Sequence, residues 1–299
     1  MADITASTST VGAIPRRPNP IVLFIKAQPL GFLGFLVVLI YAVLAIGRYW
    51  IAPYEPTAID WSAMEAAPSL AHPFGTDQLG RDVFSRVVYG TRTALLIGIL
   101  SAFIGGTIGA LLGATSGYFG GRIDTFLQRI VDIMLSFPII ILAVVVVAVL
   151  GKWPVFDVDF NLIIAIALPM IPKMARIARS STLTIVQMPF IDAARAAGYG
   201  HARIILRHIM PNIIAPYLIM VTAFIAQAIL LEASLSFLGL GVTEPTPAWG
   251  LMLSGSSVDF ARTAPWMIIF PGLAITLAVF AFNLLGDSLR DWLDPKMKG

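Results

Sequence analysis

The sequence predicts an all-α integral membrane protein with six transmembrane helices, and three observations carry that reading. Hydrophobic residues make up 58% of the 299-residue chain and charged residues 12%, with a mean hydropathy of +0.85; a soluble domain needs about one-quarter charged residues to cover its outside. The apolar residues gather into continuous runs of about twenty, the length at which a helix crosses a bilayer. Those runs lack the strict alternation that a membrane barrel requires.

Residues 1–28, with Ser, Thr, Pro, Arg16 and Arg17 and no hydrophobic periodicity, are expected to form a cytoplasmic tail. The run Leu30 to Gly47 predicts a first transmembrane anchor over 29–50, left uncleaved because no small-residue cleavage site clearly follows it. An external loop is expected over 51–91 and a core of five further helices over 92–290, spanning at about 93–117, 131–150, 160–178, 212–238 and 266–286, with a cytoplasmic tail over 291–299. With the N-terminus inside, fourteen of the twenty Lys and Arg face the cytoplasm and only Arg48, Arg81, Arg86, Arg92, Lys152 and Arg262 lie outside, as the positive-inside rule asks. Both termini are then cytoplasmic. External segments at 48–91 and 240–265, punctuated by Pro, Gly and Trp, are candidates for docking a soluble partner, and one long internal segment runs over 179–211.

Composition also excludes chemistry. The chain has no cysteine, which removes disulfides, thiolate metal sites and cysteine nucleophiles. His72, His201 and His208 are too scattered to suggest a metal cage. The net charge of +3 and pI near 9.3 are accounted for by cytoplasmic loops and call for no nucleic-acid partner.

Within the spans, Ser101, Gly105, Gly109, Gly113 and Gly117 recur every four residues and leave one helix face nearly bare, inviting close approach of another helix from this chain or a partner. Pro138, Pro169 and Pro172 are expected to bend their helices. Asp132, Glu232 and Asn283 are polar groups in apolar surroundings, hence candidates for a translocation path, with span-end positions, a helix cap or pairing to another subunit as the structural alternatives.

The internal segment is the most informative. Pro189 suits a first helical turn, Asp192 favours the positive end of that helix, and Gly198 with Tyr199-Gly200 supplies a stop. A second short helix is expected from about His201 to Met210, with Arg203 and Arg207 on one face and Ile204, Ile205 and Ile209 on another. Two short helices meeting at a glycine make a knob; the plainer alternative is an amphipathic loop on the membrane surface.

Asp192-Ala193-Ala194-Arg195-Ala196-Ala197-Gly198, followed by Met210-Pro211, resembles the EAA loop of ABC importer permeases. Asp192 stands where that family often has Glu, Met210 where it has Leu, and His208 where Ile is common. The block from His72 to Arg86 resembles the signature preceding the second span in dipeptide and oligopeptide permeases. Further matches are Leu235 to Gly241, Pro245 to Gly250, Asn283 to Asp287, Leu289 to Asp291 and Asp294-Pro295, whereas Pro172-Lys173 departs from relatives that tend to carry aromatic residues nearby.

The resemblance covers roughly residues 29–297 and points to a C-type permease subunit with an ABC transmembrane type-1 domain in a bacterial inner membrane. It implies a type I importer fold, a heterodimer with a B-type permease, two cytoplasmic ABC ATPases holding ATP and Mg, an external solute-binding protein, and no cofactor bound by this chain. Asp192, Ala193, Ala194, Gly198, Arg203, Arg207 and Pro211 would couple to the ATPases. Asp77, Arg81, Asp82, Arg86 and Trp249 would serve external docking, or structure as a salt-bridged cap at the membrane rim. Import of dipeptides or oligopeptides is implied, with nickel complexes, glutathione and sugars carried by related systems.

Two other classes fit less well. A secondary carrier or channel usually reveals several intramembrane charges or two related halves. An intramembrane enzyme needs converging reactive groups, and Ser234 and Ser236 have no neighbouring histidine in the sequence, so no catalysis is expected of this chain.

Overall fold

A computed structural model of the protein describes residues 28–155, 158–255, 260 and 262–293. The expected tails, with Arg16, Arg17, Lys26, Asp294-Pro295, Lys296 and Lys298, lie outside the described residues. The helices are α1 (Pro29–Ile51), α2 (Val83–Phe119), α3 (Gly121–Ser136), α4 (Ile139–Leu150), α5 (Phe160–Ala167), α6 (Met170–Ile185), α7 (Pro189–Ala196), α8 (His201–Ile204), α9 (Ile214–Phe237), α10 (Trp249–Met252) and α11 (Trp266–Leu293). A two-residue antiparallel ladder pairs β1 (Pro154–Val155) with β2 (Val158–Asp159).

Four helices are long and apolar enough to cross a membrane: α1, α2, the continuous helix His201–Phe237, and α11. The other two crossings are bent pairs, α3 with α4 at 96° and α5 with α6 at 43°. The bend expected at Pro138 in the span read over 131–150 is present, as a break at Phe137. A proline disfavours the helical region for the residue before it, and Phe137 takes the extended alternative at φ −87°, ψ 135°. At the second break Pro169 itself remains near helical angles (φ −68°, ψ −10°), and the turn is shallower.

Contacts sort the elements to two ends of the bundle. At one end Gln28 bonds Asp291 at 3.2 Å and Tyr118 bonds His201 at 2.9 Å. At the other, Tyr54 N–H donates to Ser85 Oγ (3.2 Å), Trp266 Nε1 to the Thr76 carbonyl (2.9 Å) and Thr93 Oγ1 to the Pro247 carbonyl (3.0 Å). The segments read as external thus share one end, and the segment read as the coupling loop shares the opposite end with the start of α1 and the finish of α11.

The small-residue stripe finds its neighbour within this chain. Ser101 Oγ donates to the Ile163 carbonyl at 3.2 Å. A Cβ on Gly105 would stand 2.5 Å from the Ala167 carbonyl oxygen, and one on Gly109 would stand 2.5 Å from that of Ile171 and 2.7 Å from Met174 Cβ. Gly113 faces Ala178 and Gly117 faces Thr182 in the same way. The bare face of α2 therefore lies directly on the backbone of α5 and α6.

Overpacking this seam is expected to destabilise the fold. Gly109→Leu should cost about 1–3 kcal/mol and lower the thermal midpoint of detergent-solubilised protein, whereas Gly272→Ala, at a position with nothing within 4 Å of an added Cβ, should leave the midpoint unchanged.

Candidate functional site

At the inner end, α7 begins with Pro189 in its first turn and carries Asp192 there, where the helix dipole favours an acid. It ends in a Schellman arrangement: Gly198 N–H bonds the Arg195 carbonyl at 2.9 Å and Tyr199 N–H the Ala194 carbonyl at 3.1 Å, with Gly198 at φ +76°, a conformation that glycine adopts without steric penalty. Residues 195–203 form an unbroken exposed run, and Asp192 and Ala193 are exposed as well. Beneath it Ile191, Ala194, Ile204, Ile205, Ile209 and Ile213 are buried in the main apolar core.

Aromatic contacts fix the knob's orientation. Tyr118 at the foot of α2 bonds His201, Arg195 lies over the Tyr118 ring at 5.5 Å, and Arg203 lies over the Tyr199 ring at 4.1 Å. Arg195 also pairs with Asp192 at 3.2 Å. Arg207 and Pro211 are exposed, farther along the helix.

The expected second short helix is corrected here. From His201 the chain passes through an α turn, a π turn over Ile205–Ile209 and a 3-10 turn over Met210–Ile213 and enters α9 without a break, as one 37-residue helix. Pro211 has no N–H and its ring crowds the carbonyl four residues back; the widened turn before it accommodates that ring, and Asn212 Nδ2 donates to the His208 carbonyl at 2.6 Å. The knob is consequently the near end of the fifth span.

At the outer end, Asp77, Arg81, Asp82 and Arg86 do come together, but as a buried network and not as the surface cap the sequence suggested. Asp82 caps α2, accepting from Ser85 N–H and Oγ at 2.7 Å each, and its other oxygen meets His72 Nδ1 at 3.0 Å. Asp77 accepts from Leu79 and Arg81 N–H at 2.9 Å and pairs with Arg81 Nε at 2.7 Å. Glu244 completes the network, taking Arg81 at 3.0 Å and Arg86 at 3.1 Å, while Arg86 also donates to the Pro56 carbonyl at 3.2 Å. Trp249, wholly buried, donates Nε1 to the Val87 carbonyl at 2.9 Å and packs edge-on against Tyr41; its place is structural, not an exposed docking position.

Comparison with known proteins identifies the family. Residues 105–299 match the family described as the binding-protein-dependent transport system inner membrane component. The chain belongs to that family. It is similar to the glutathione transport system permease protein GsiD of Escherichia coli O157:H7, 46% identical over 275 residues covering 92% of this chain and 89% of the relative. The GsiD of Shigella flexneri serotype 5b (strain 8401) is 47% identical over the same coverage. A solved structure titled as inward-facing conformations of the MetNI methionine ABC transporter matches with a TM-score of 0.52 over 71% of this chain and 97% of that one, at 19% identity, and supports the fold alone.

The protein is thus a multi-pass inner membrane component of an ABC importer with the type-1 permease fold. In this permease the three candidate path residues are not brought together. Glu232 is buried, accepts from Ser236 Oγ at 2.6 Å, and Ser236 Oγ in turn accepts from Val242 N–H at 3.0 Å, so the carboxylate fixes the turn after α9. Asp132 is exposed and ion-paired with Arg176. Asn283 is exposed on α11.

Sequence reasoning missed Glu244. One signal pointed to it: Asp82 is consumed by the α2 cap, which leaves two arginines for Asp77 alone and calls for a second carboxylate from the facing loop.

Removing that carboxylate is expected to weaken the outer end. Glu244→Ala should cost about 1.5–3 kcal/mol, the range for hydrogen bonds to charged groups, with the lower half favoured because the Glu244 side chain is 48% exposed. A thermal midpoint unchanged from wild type would contradict the network's structural role.

Proposed function

We propose that this permease forms a translocation path with a second permease and imports short peptides of the glutathione class, driven by two cytoplasmic ATPases that hold ATP and Mg, with an external solute-binding protein delivering the substrate. The observation that carries the reading is the knob at 192–203. It is an exposed projection seated on buried isoleucines at the end of an apolar bundle, a shape that a soluble partner can receive. Its continuity with α9 gives a docked ATPase a direct grip on a span. Such docking biases the inward and outward states only to the extent that the knob binds differently in each.

The substrate class rests on relatives 46–47% identical along nearly the whole chain and named for glutathione transport. In this reading Asp192, Ala193, Ala194, Gly198 and Arg203 belong to the docking surface. Arg207 and Pro211 shape the helix behind it.

The test is ATP-driven uptake of labelled glutathione and of dipeptides by vesicles carrying the whole assembly. Gly198→Leu forces a branched side chain into the left-handed region, at about 1–2 kcal/mol locally. It is expected to abolish uptake while membrane insertion and permease pairing stay normal. Full uptake by that variant, or equal uptake without nucleotide, would overturn the coupling role.

A further inference from the structure

Helix α6 leaves one side open within the membrane, and that side is largely polar. Lys173, Arg176, Ser180 and Thr184 follow one another at spacings of three and four, which sets them on one helix face. Arg176, Ser180 and Thr184 are exposed and Lys173 is half-buried, with Ile177 and Leu183 beside them. The opposite side, with Met174, Ala175, Ala178 and Ile185, is buried against the rest of the chain. A row of polar groups is costly in hydrocarbon, so this face borders water or another subunit and not lipid.

Lys173 stands deep in the membrane. Its neighbour Met174 meets Gly109, within the apolar run of α2, and Thr182, nine residues further along α6, meets Gly117 at the inner end of that run. Nine residues of helix span about 13 Å, too far for a lysine stem to carry its charge to the inner headgroups. The ammonium turns instead toward α9, donating to Gln227 Oε1 at 3.4 Å. That amide is neutral, and no carboxylate pairs with Lys173 among the described residues. The charged groups around it are otherwise engaged: Arg176 with Asp132, Arg179 with Asp124, and Glu232 of α9 with Ser236.

An ionisable group at this depth marks a solute or ion pathway by default. A space of about 380 Å³ opens beside the same face, lined by Arg176, Arg179, Gln128 and Asp132, so the way from Lys173 toward the inner end is both polar and roomy. The chain neutralises the two other cations of α6 with acids of its own and leaves this one for an anion from elsewhere. Cargo must be held weakly enough to leave again. A single ammonium on a flexible stem, steadied by one neutral amide, attracts a carboxylate without the fixed two-point grip of an arginine.

We infer that Lys173, steadied by Gln227, is a specificity-determining residue of the translocation path and receives a carboxylate of the passing peptide. The inference rests on the functional reading above and adds a charge preference to it: a net-anionic peptide is passed faster than its neutral counterpart.

The test is ATP-driven uptake by vesicles carrying the whole assembly, at saturating solute-binding protein so that the permease step limits the rate. Labelled glutathione, net anionic near neutral pH, is compared with its glycine amide, net neutral. Lys173→Met is expected to lower the maximal rate for glutathione at least tenfold and that for the amide less than twofold, and Lys173→Arg should retain the glutathione rate. The chain's lack of cysteine allows a check that keeps Lys173 in place. Ser180→Cys and Thr184→Cys should react with a sulfonated maleimide in open membrane fragments, whereas Ile40→Cys, on the apolar outer face of α1, should not. Equal loss for both peptides, no loss for either, departure of the second permease from the Lys173→Met assembly, or unreactive cysteines at 180 and 184 would overturn the role of Lys173 and leave the functional reading standing. Wild-type vesicles that import neither peptide with ATP would overturn both.

Discussion

The bundle depends on the close backbone approach of α2 to α5 and α6. Lipid tails are as apolar as leucine, so helices in a membrane associate through packing and not through the hydrophobic effect, and contact distance sets the strength of the pairing. The absence of side chains at Gly105, Gly109, Gly113 and Gly117 lets the carbonyls of α5 and α6 lie within a few ångströms of the α2 backbone. Everything downstream inherits that placement. The end of α6 leads within three residues to α7, so the seam that positions α6 also positions the knob.

The two ends of the bundle use opposite chemistry. The outer end buries charge, which is costly unless every group is paired, and the pairing is close: one carboxylate caps α2 and two others hold Arg81 and Arg86. Such a network has few alternative arrangements and fixes the loops against α2. The inner end buries isoleucine and leaves its polar residues in water, so the knob has a firm base and an uncommitted top. A partner can bind that top without first breaking an ion pair of the core.

Legibility in the sequence followed the range of the interaction. Span positions, the four-residue glycine period, the stop at Gly198 and the motif around Asp192 are local patterns, and each was readable in a window of some twenty residues. What escaped depends on residues far apart. Glu244 meets Arg86 across 158 positions and Trp249 meets Val87 across 162, and no local pattern announces either pairing, although Trp249 itself stood out as a candidate. The continuity of His201–Phe237 was obscured for a different reason: a proline in an apolar run normally marks a boundary, yet a π turn let the helix pass Pro211.

The hydrogen bonds also determine where motion within the chain can occur. Helices α2 and α9 are tied at three levels: Tyr118 to His201 at the inner end, Thr107 to Tyr217 at 2.8 Å midway, and Arg86 to Glu244 beyond the outer end of α9. The last tie is reached through the turn that Glu232 and Ser236 hold. With α6 bound to α2 by the glycine seam, these three helices form one unit, and a push on the knob moves them together. By contrast α4 buries only Ala143 and α3 only Val131, and the two meet at a 96° break without hydrogen-bonded helical continuity. Helix α3 is itself tied to α2 and α6, with Asp124 paired to Arg179 at 2.6 Å and Gln128 donating to Ser116 at 2.9 Å, so the weakly held element is α4, joined to α3 at the proline break, while the knob and the outer ion-pair network belong to one body.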